Sequence, residues 1–405
     1  MYIPRFAAER LRHLARSFPA VIVTGARQSG KTTLVEATFP NMARVSLDLP
    51  SLAERAERDP ESFFRDHSPP LSVDEVQYAP GLFRHVKAEI DRNRHAMGRF
   101  ILTGSQSFNL MKGVSDSLAG RSAILELENL AAAELAAAGA TANTDRERLR
   151  LIARGQFPEL WRDPSIGARD FYSAYVATYL ERDVRQILNV VSLRDFERFI
   201  RVLAARSGSL LNKSEVAKDV GVSLKAVGDW ISVLQASGQI VLLEPWFPSF
   251  GKRIVKSPKL YFRDSGLLSF LLGLDEASLE RSPFLGALWE TYFFSEMRKL
   301  EAARGQGTRF WFYRDQRARE VDFVLERSGE LSFVEVKWTE HPDASDAATV
   351  AVLSAELAAS AGPWRPGRHY ILSRTATPYP IASGIEAANE SAIPSMLGIG
   401  GPGPA

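Results

Sequence analysis

The residues best suited to chemistry lie in a glycine-rich segment near the amino terminus. Two glycines five residues apart, followed by a lysine and two threonines, have the spacing G-x-x-x-x-G-K-[ST]. Glycine lets the backbone approach an anion closely, and free N–H groups at the start of a helix point at phosphate oxygens. We expect the lysine to pair with the β- and γ-phosphates of a nucleotide and the first threonine to ligate Mg²⁺. The predicted phosphate-binding residues are Gly25, Ala26, Arg27, Gln28, Ser29, Gly30, Lys31, Thr32 and Thr33.

Two adjacent carboxylates follow about 40 residues later. Asp74 and Glu75 come directly after the apolar run Leu71–Val73. A carboxylate in the first position is suited to hold Mg²⁺ directly or through water, and one in the second is suited to polarise an attacking water. We therefore expect Asp74 as a metal ligand and Glu75 as a catalytic residue beside Lys31.

Two further polar residues are candidates for sensing the transferred phosphate. Ser105 follows the apolar run Phe100–Thr103 and Gly104, and we favour it over Thr103 as the γ-phosphate sensor. Arg121 is a candidate arginine finger, supplied by a neighbouring subunit or by domain closure. The alternatives are an ordinary turn at Ser105 and a solvated surface arginine at Arg121.

A second group of charged residues lies in the last third of the chain. Glu335 and Lys337 alternate along one apolar segment, so both side chains lie on one face of a strand. Asp322 lies on a preceding alternating segment and Glu290 on a predicted helix. Converging carboxylates form a hard-oxygen site for Mg²⁺ or Mn²⁺, with Glu290, Asp322 and Glu335 as ligands. Lys337 would orient or deprotonate water for phosphodiester cleavage. The alternative is a hairpin with one solvated face.

Positive charge is concentrated between these two groups. Residues 201–262 hold nine Lys or Arg and four Asp or Glu, a local excess of +5, whereas the whole chain carries +2. Contact with nucleic-acid phosphates needs such a local excess. The candidate DNA contacts are Ser223, Lys225, Lys252, Arg253, Lys256 and Lys259. The alternative is a domain that only packs others together, because Val227, Trp230, Ile231 and Leu234 are spaced to face a core.

A parallel sheet is needed to bring the amino-terminal groups to one edge. Short apolar runs alternate with helical stretches, which is typical of β–α–β units. The predicted strands are Pro19–Thr24, Arg44–Leu47, Leu71–Val73, Phe100–Thr103 and Ala123–Leu127.

Two other arrangements of elements are predicted further along. After a helical stretch at 170–206, the order helix, turn, helix, strand is typical of a winged helix-turn-helix. These elements are Lys213–Val220, Ser223–Ser237 and Gln239–Glu244. The last part begins with a helix and continues with three strands: Leu285–Leu300, Arg309–Tyr313, Glu320–Glu326 and Leu331–Lys337.

Four motifs in order, GARQSGKTTL, LSVDEVQ, FILTGSQSF and SLAGR, resemble a prokaryotic AAA-type P-loop ATPase domain over residues 1 to about 135. The continuation to residue 380 resembles a large prokaryotic family in which this ATPase precedes a poorly characterised carboxyl-terminal region. The placing of Glu290, Asp322, Glu335 and Lys337 resembles the PD-(D/E)xK nuclease core, with Val321 where that pattern has proline. The first likeness implies ATP binding with Mg²⁺, and the last implies a restriction-endonuclease-like fold.

We therefore predict an α/β protein in five parts. They are an ATPase domain at 1–135, a helical connector at 136–190, a winged helix-turn-helix at 191–275, a nuclease-like domain at 280–385 and a disordered tail at 390–405. The predicted function is ATP hydrolysis that controls a DNA-interacting module with metal-dependent nuclease activity. The alternative is a non-cleaving ATP-dependent switch or regulatory ATPase that acts on a protein partner or on itself as an oligomer, with an inactive nuclease-like scaffold.

Composition narrows the class of protein. The 405 residues include 50 Lys or Arg, 48 Asp or Glu and no Cys, which excludes disulfides, cysteine zinc sites and a thiol nucleophile. No uncharged run reaches the roughly 18 apolar residues of a membrane span. We expect a cytoplasmic protein without a membrane partner.

Overall fold

A five-stranded parallel sheet forms the centre of the amino-terminal part of the chain. The computed structural model describes residues 2–105, 117–179, 193–247, 256–360 and 362–399. The strand order is β2-β3-β4-β1-β5, which places β1 between β4 and β5. The strands are β1 (Ala20–Thr24), β2 (Ala43–Ser46), β3 (Leu71–Asp74), β4 (Phe100–Thr103) and β5 (Ser122–Glu126).

Helices cover both faces of this sheet because its central strands β1, β3 and β4 are buried on both sides. On one face, Val21 and Val23 pack against α1 and α2, and on the other, Ile22 packs with residues of α3, α4 and α5. These helices are α1 (Ala7–Ser17), α2 (Lys31–Thr38), α3 (Pro50–Arg58), α4 (Pro60–Asp66) and α5 (Leu82–Arg92). A 3₁₀ turn at Val76–Tyr78 follows β3.

The middle of the chain is mainly helical. The helices and the two strands of an antiparallel hairpin are α6 (Ala132–Ala137), α7 (Asp145–Arg154), α8 (Pro158–Arg162), α9 (Ala168–Tyr179), α10 (Leu193–Ala204), α11 (Lys213–Val220), α12 (Leu224–Ala236), β6 (Ile240–Leu243), β7 (Lys259–Phe262), α13 (Ser265–Leu271) and α14 (Glu276–Leu279). Asn212 and Ser223 cap α11 and α12 with their side chains, and Gly221 ends α11 in the left-handed conformation. We call residues 193–262 the three-helix region.

A mixed sheet forms the carboxyl-terminal region, residues 285–399. Its strand order is β13-β14-β12-β10-β9-β8, with β11 beside β10. Strands β8, β9 and β10 are antiparallel neighbours, whereas β12 runs parallel to β10. The elements are α15 (Leu285–Arg304), β8 (Arg309–Arg314), β9 (Glu320–Arg327), β10 (Glu330–Val336), α16 (Ala348–Ala358), β11 (Arg365–Pro366), β12 (His369–Leu372), β13 (Tyr379–Ala382), β14 (Ile385–Ala388), a 3₁₀ turn at Glu390–Ala392 and α17 (Ile393–Met396).

One apolar core joins the helical middle of the chain to the carboxyl-terminal region. It contains Phe157, Phe199, Leu260 and Trp289, each at most 2% exposed, and continues to Leu397. The expectation of a disordered tail from residue 390 is therefore wrong for residues 390–399, because Ile393 and Leu397 are buried in this core. The remainder of the predicted tail lies outside the described residues.

The predicted parallel sheet is confirmed. Strand β4 has the bounds predicted from the sequence, β1 and β3 differ by one residue at one end, and β2 and β5 begin and end one residue earlier than predicted. The sequence did not predict β11–β14 or α16. No helix in the described ranges has both the length and the apolar character that a membrane crossing requires.

Candidate functional site

The glycine-rich loop joins the end of β1 to the start of α2. Gly25 has φ +149°, and a Cβ atom there would lie 2.2 Å from the carbonyl oxygen of Leu127. Gly30 has φ +89° and precedes the first residue of α2. A side chain would be strained at either position, so the glycines are required by this loop. The Lys31 ammonium donates to the carbonyl oxygens of Gly25 (3.2 Å) and Ala26 (2.9 Å).

The two predicted Mg²⁺ ligands are in contact. The Thr32 hydroxyl lies 3.1 Å from each carboxylate oxygen of Asp74, at the carboxyl end of β3. The Thr103 hydroxyl, at the end of the neighbouring strand β4, also donates to Asp74. A hydroxyl and a carboxylate beside a phosphate-binding loop fit Mg²⁺, which prefers oxygen ligands and is usually bound through few protein groups together with phosphates.

A glutamine connects the candidate catalytic residue to the candidate sensor. Glu75 has φ +54°, and its carboxylate accepts a hydrogen bond from the amide of Gln77. The same amide nitrogen lies 3.4 Å from the Ser105 hydroxyl. No role was predicted for Gln77, although it lies inside the motif LSVDEVQ. Thr103 and Ser105 thus occupy different places: Thr103 contacts the Asp74 carboxylate, and Ser105 faces Gln77.

Arg121 lies near the amino-terminal ends of the strands, whereas the phosphate loop lies at their carboxyl-terminal ends. Its carbonyl oxygen accepts from the N–H of Ala20, the first residue of β1, whereas the loop follows the last residue of β1. A five-residue strand separates these ends by roughly 13 Å. The guanidinium bonds to both oxygens of Asp91, at 2.8 and 3.1 Å. A nucleotide contact by Arg121 would therefore involve a second copy of the chain or a domain closure, and this role stays a prediction.

A cavity of about 460 Å³ adjoins the phosphate loop. Gln28, Gly30 and Thr33 form its phosphate-loop end. Tyr2, Ile3, Leu130 and Pro158 provide apolar walls from three separate segments of the chain, and it is also lined by Arg5, Glu159 and Arg162. Ligand cavities are usually apolar with a few polar groups at defined places. No sequence pattern identified this set, because its members are far apart in the chain.

Arg5 ties the phosphate loop to the segment that follows β5. Its guanidinium donates to the carbonyl oxygens of Ser29 (2.9 Å), Glu128 (2.6 Å) and Asn129 (3.2 Å). It also donates to the carboxylate of Glu134 at 3.2 Å. The side chain is buried, so these bonds fix the position of the loop backbone relative to residues 128–134.

Glu128 carries this connection into the other half of the protein. Its buried carboxylate accepts from Arg263, at the end of β7 (3.1 Å), and from Arg298, on α15 (3.0 Å). Burial alone would raise the pKa of Glu128, but the two guanidinium groups outweigh it and lower the pKa to about 2. Arg263 also pairs with Glu126 at 2.6 Å.

The neighbouring Asp264 is a second junction. Its carboxylate accepts from the side-chain amide of Asn129 (3.1 Å), the N–H of Gln156 (3.0 Å) and the hydroxyl of Tyr172 (2.7 Å), and it caps α13. Burial, together with the adjacent Asp264, raises the pKa of Tyr172 well above its usual value.

Only some of the candidate DNA contacts lie on the surface of the described structure. Ser223, Lys225 and Lys256 are exposed, whereas Lys252 and Arg253 lie outside the described residues. Lys259 is 1% exposed, so its assignment as a surface contact is wrong. The other face of α12 is buried through Val227, Trp230, Ile231 and Leu234, as its spacing predicted.

Lys259 instead contacts the carboxylates of the carboxyl-terminal region. Its ammonium lies 3.2 Å from Glu290, 2.6 Å from Glu320 and 3.5 Å from Asp322. We call Glu290, Glu320, Asp322 and Glu335 the carboxylate cluster. The sequence reasoning did not identify Glu320 as one of its members.

Hydrogen bonds along the β9–β10 hairpin hold the rest of this cluster. The N–H of Asp322 donates to Glu335 (3.1 Å), and the N–H of Val336 donates to Asp322 (2.9 Å). Lys337 lies 3.4 Å from Glu335. Burial, and then the charge of Asp322, raises the pKa values of Glu290 and Glu335. Throughout the described ranges, no three His, Cys, Asp or Glu side chains are arranged to hold a metal ion, so the predicted Mg²⁺ or Mn²⁺ site is not shown.

Comparison with known families assigns the three parts separately. Residues 17–136 match the model described as an AAA domain. Residues 145–278 and 285–393 match two domains of unknown function, DUF8612 and DUF4143. With the parallel sheet, the phosphate loop and the Thr32–Asp74 contact, the AAA match defines the amino-terminal domain as a P-loop ATPase domain of the AAA type.

Whole-chain relatives place the protein more narrowly. Two mycobacterial proteins, Rv2008c of Mycobacterium tuberculosis and Mb2031c of Mycobacterium bovis, are each 32% identical over 385 residues, which cover 93% of this chain and 83% of theirs. Both are described as uncharacterized. The chain belongs to the AAA-domain protein family that includes these two proteins.

Solved structures show more distant likenesses. The Walker-type ATPase PABY2304 of Pyrococcus abyssi is 13% identical, with a TM-score of 0.46 over 65% of this chain and 94% of that one. The Holliday junction branch migration motor RuvB of Thermotoga maritima is 16% identical, with a TM-score of 0.30 over 59% of this chain and 90% of that one.

Proposed function

We propose that this AAA-type ATPase is a nucleotide-dependent switch in which the state of the phosphate loop controls the arrangement of a DNA-interacting carboxyl-terminal half. The observation that carries the proposal is the set of bonds from Arg5, which join the Ser29 carbonyl to the segment containing Glu128 and Glu134. Any change in the loop backbone on nucleotide binding alters the acceptors available to a buried guanidinium. Such a group must keep its partners, because unpaired buried charge is costly.

The hydrolytic roles follow from the geometry of the site. Lys31 would bind the β- and γ-phosphates, and Thr32 and Asp74 would hold Mg²⁺, which offsets phosphate charge when it is bound. Glu75 would orient the attacking water, with its carboxylate positioned by Gln77. Ser105 would sense the γ-phosphate through the same Gln77 amide. The cavity walled by Tyr2, Ile3 and Pro158 has room for the base and sugar.

We call the contacts of Arg5, Glu128, Arg263 and Arg298 the relay. Its second half joins the segment after β5 to β7 and α15. Glu128 joins Arg263 and Arg298, and Asn129 joins Asp264. The Glu128–Arg263 contact is buried and the Glu128–Arg298 contact is partly buried, so solvent screening weakens them little. A displacement of residues 128–129 would therefore be transmitted to the three-helix region and the carboxyl-terminal region.

We further propose that the three-helix region is a winged helix-turn-helix that binds DNA through Ser223, Lys225, Lys252, Arg253 and Lys256. The order α10, α11, α12, β6, β7 supports this, as does the exposure of Lys225 and Lys256. Likewise, the clustering of Glu290, Asp322, Glu335 and Lys337 on α15 and one hairpin supports a PD-(D/E)xK-type fold for the carboxyl-terminal region. The competing proposal is a protein partner, or a second copy of the chain, on the same surface.

Phosphate release and nucleotide binding by the purified full chain test the hydrolytic roles. Lys31→Ala should abolish ATP binding, because the phosphates lose their main side-chain cation. Glu75→Gln should still bind ATP but not turn it over. Retained hydrolysis in Glu75→Gln would remove the proposed role of Glu75.

Hydrogen exchange tests the relay. In Glu75→Gln, ATP should change the exchange of residues 259–264. Adding Arg5→Lys, which keeps the charge but loses the planar guanidinium, should remove that change when both proteins are compared at saturating ATP. Arg12→Lys, an exposed substitution on α1, is the matched control. An unchanged response in the Arg5→Lys protein would refute the relay.

DNA-dependent ATPase rates test the partner. Duplex DNA should raise the rate of the wild type, with a steep salt dependence, and Lys225→Ala with Lys256→Ala should remove the increase. Arg58→Ala, exposed on α3, is the control. A rate that does not respond to duplex or single-stranded DNA would favour the protein-partner alternative.

A further inference from the structure

A buried lysine occupies the centre of the carboxylate cluster. The Lys259 ammonium is within 2.6–3.5 Å of oxygens from three carboxylates, Glu290, Glu320 and Asp322. These carboxylates come from α15 and β9, whereas the lysine comes from β7 in the three-helix region. The three acidic side chains therefore converge on a cation that the chain itself supplies.

This arrangement conflicts with the divalent metal that the nuclease-like pattern implies. Glu290 and Asp322 are two of the three residues predicted as metal ligands, and both face the ammonium. Oxygen ligands bind Mg²⁺ at about 2.0–2.1 Å, and they must surround it. An ammonium and a metal ion cannot share these oxygens without strong repulsion between the two positive charges, so the carboxylates do not fit the metal while Lys259 is present.

The lysine cannot readily withdraw. Leu260, Tyr261 and Phe262, which follow it on β7, are each at most 1% exposed. The backbone of Leu260 bonds to Gly208 (2.7 Å) and Ser209 (3.0 Å). The Tyr261 hydroxyl donates to Glu290, the same carboxylate that Lys259 contacts. Moving the lysine backbone away from the cluster would thus require β7 to leave the largest apolar core of the described structure, and rotating the side chain away would leave three carboxylates without their cation.

We infer that Lys259 is the resident cation of the carboxylate cluster, that it excludes divalent metal ions, and that the nuclease-like region is a non-cleaving module joined to the three-helix region by this contact. The inference rests on the cluster and not on the Arg5 relay, so either can fail without the other.

Manganese binding followed by electron paramagnetic resonance is the direct test. It is made without nucleotide and in a Thr32→Ala background, so that the phosphate-loop site does not contribute. The protein with Lys259 intact is expected to bind no Mn²⁺ that depends on Asp322, and to leave plasmid and single-stranded DNA uncut. Stoichiometric Mn²⁺ binding that Asp322→Asn removes, or cleavage that Asp322→Asn removes, would overturn the inference.

The converse experiment removes the lysine. In Lys259→Met, Mn²⁺ should bind and raise Tm by about 3 °C or more, because the ion then compensates the carboxylates. Lys256→Met, an exposed lysine three residues earlier, should show no such rise. If Lys259→Met does not fold, the double variant Lys259→Met with Glu320→Gln, which removes one charge of each sign and keeps the predicted metal ligands, takes its place. A folded variant that gains no Mn²⁺ binding would show that Lys259 does not exclude the metal.

Discussion

Replacing Glu128 by glutamine should remove the electrostatic link between the two halves of the protein and leave the rest of the fold in place. The carboxylate is 8% exposed and bonds to Arg263 and Arg298. These guanidinium groups lower its pKa from the ordinary 4.5 to about 2, against the effect of burial. Because one pKa unit corresponds to about 1.4 kcal/mol, the ionised form contributes about 3 kcal/mol to the free energy of unfolding near neutral pH.

The sign of the pH dependence follows from the lowered pKa. The contribution is complete above pH 4.5, where the carboxyl is ionised in both folded and unfolded chains, and it is lost as the pH falls toward 2. Glu128→Gln should therefore unfold with a free energy about 3 kcal/mol below that of the wild type at pH 7. The difference should be about 1 kcal/mol smaller at pH 4. Urea unfolding followed by tryptophan fluorescence and circular dichroism at both pH values measures it.

Glu126→Gln is the matched control. Glu126 pairs with the same Arg263 but is about one-third exposed, so solvent screening limits its contribution to about 1 kcal/mol or less. The reasoning would be refuted if Glu128→Gln were as stable as Glu126→Gln, or if its deficit were the same at pH 7 and pH 4.

Three further predictions concern the ATPase domain. Gln77→Ala should lower kcat by about tenfold or more with little change in KM, because it frees the Glu75 carboxylate without touching the phosphates. Steady-state phosphate release measures both constants, and an unchanged kcat would exclude a role for Gln77 in positioning Glu75. Gly25→Ala should abolish nucleotide binding and lower Tm, since its Cβ would lie 2.2 Å from the Leu127 carbonyl; differential scanning fluorimetry with and without ATP checks this, and normal binding would contradict the loop geometry. Arg121→Ala should lose ATPase activity while keeping ATP binding, and mixing it with the Lys31→Ala protein should restore part of the rate if the arginine acts on a neighbour.

The phosphate site could be predicted from the sequence because its residues are recognised by their spacing within short segments. The glycine spacing fixes the loop, and the run ending at Asp74 places a carboxylate at the carboxyl end of a strand. Since parallel strands bring their carboxyl ends to the same edge, Thr32 and Asp74 were expected to meet, and they do. Helices α11 and α12 could be predicted for the same reason, because each one begins at a capping side chain next to it in the sequence.

The groups that link the domains could not be predicted, because nothing local distinguishes them. Arg5 and Glu128 are ordinary charged residues until the fold brings partners from 24 to 170 residues away. Lys259 was counted among surface cations because a local charge excess does not say which lysine is buried. Only the tertiary structure places it beside acidic residues of a later segment. The prediction of a disordered tail was wrong for the same reason. Its composition is typical of disorder, but Ile393 and Leu397 are buried in an apolar core formed by distant segments.

Strand β7 has a consequence for how the protein tolerates change in length. Its first residue, Lys259, faces the acidic residues of α15 and β9, and Arg263 and Asp264, which directly follow the strand, contact the segment that leaves the ATPase sheet. A strand alternates its side chains with a period of two, so a single inserted or deleted residue would reverse every face beyond it. Such a change would displace either Lys259 or Arg263 from its partners. The charge contact at that end would be lost, and no neighbouring residue could replace it. The number of residues between Lys259 and Arg263 is thus fixed by two distant sites, and we expect no insertion between Lys259 and Asp264 to be tolerated.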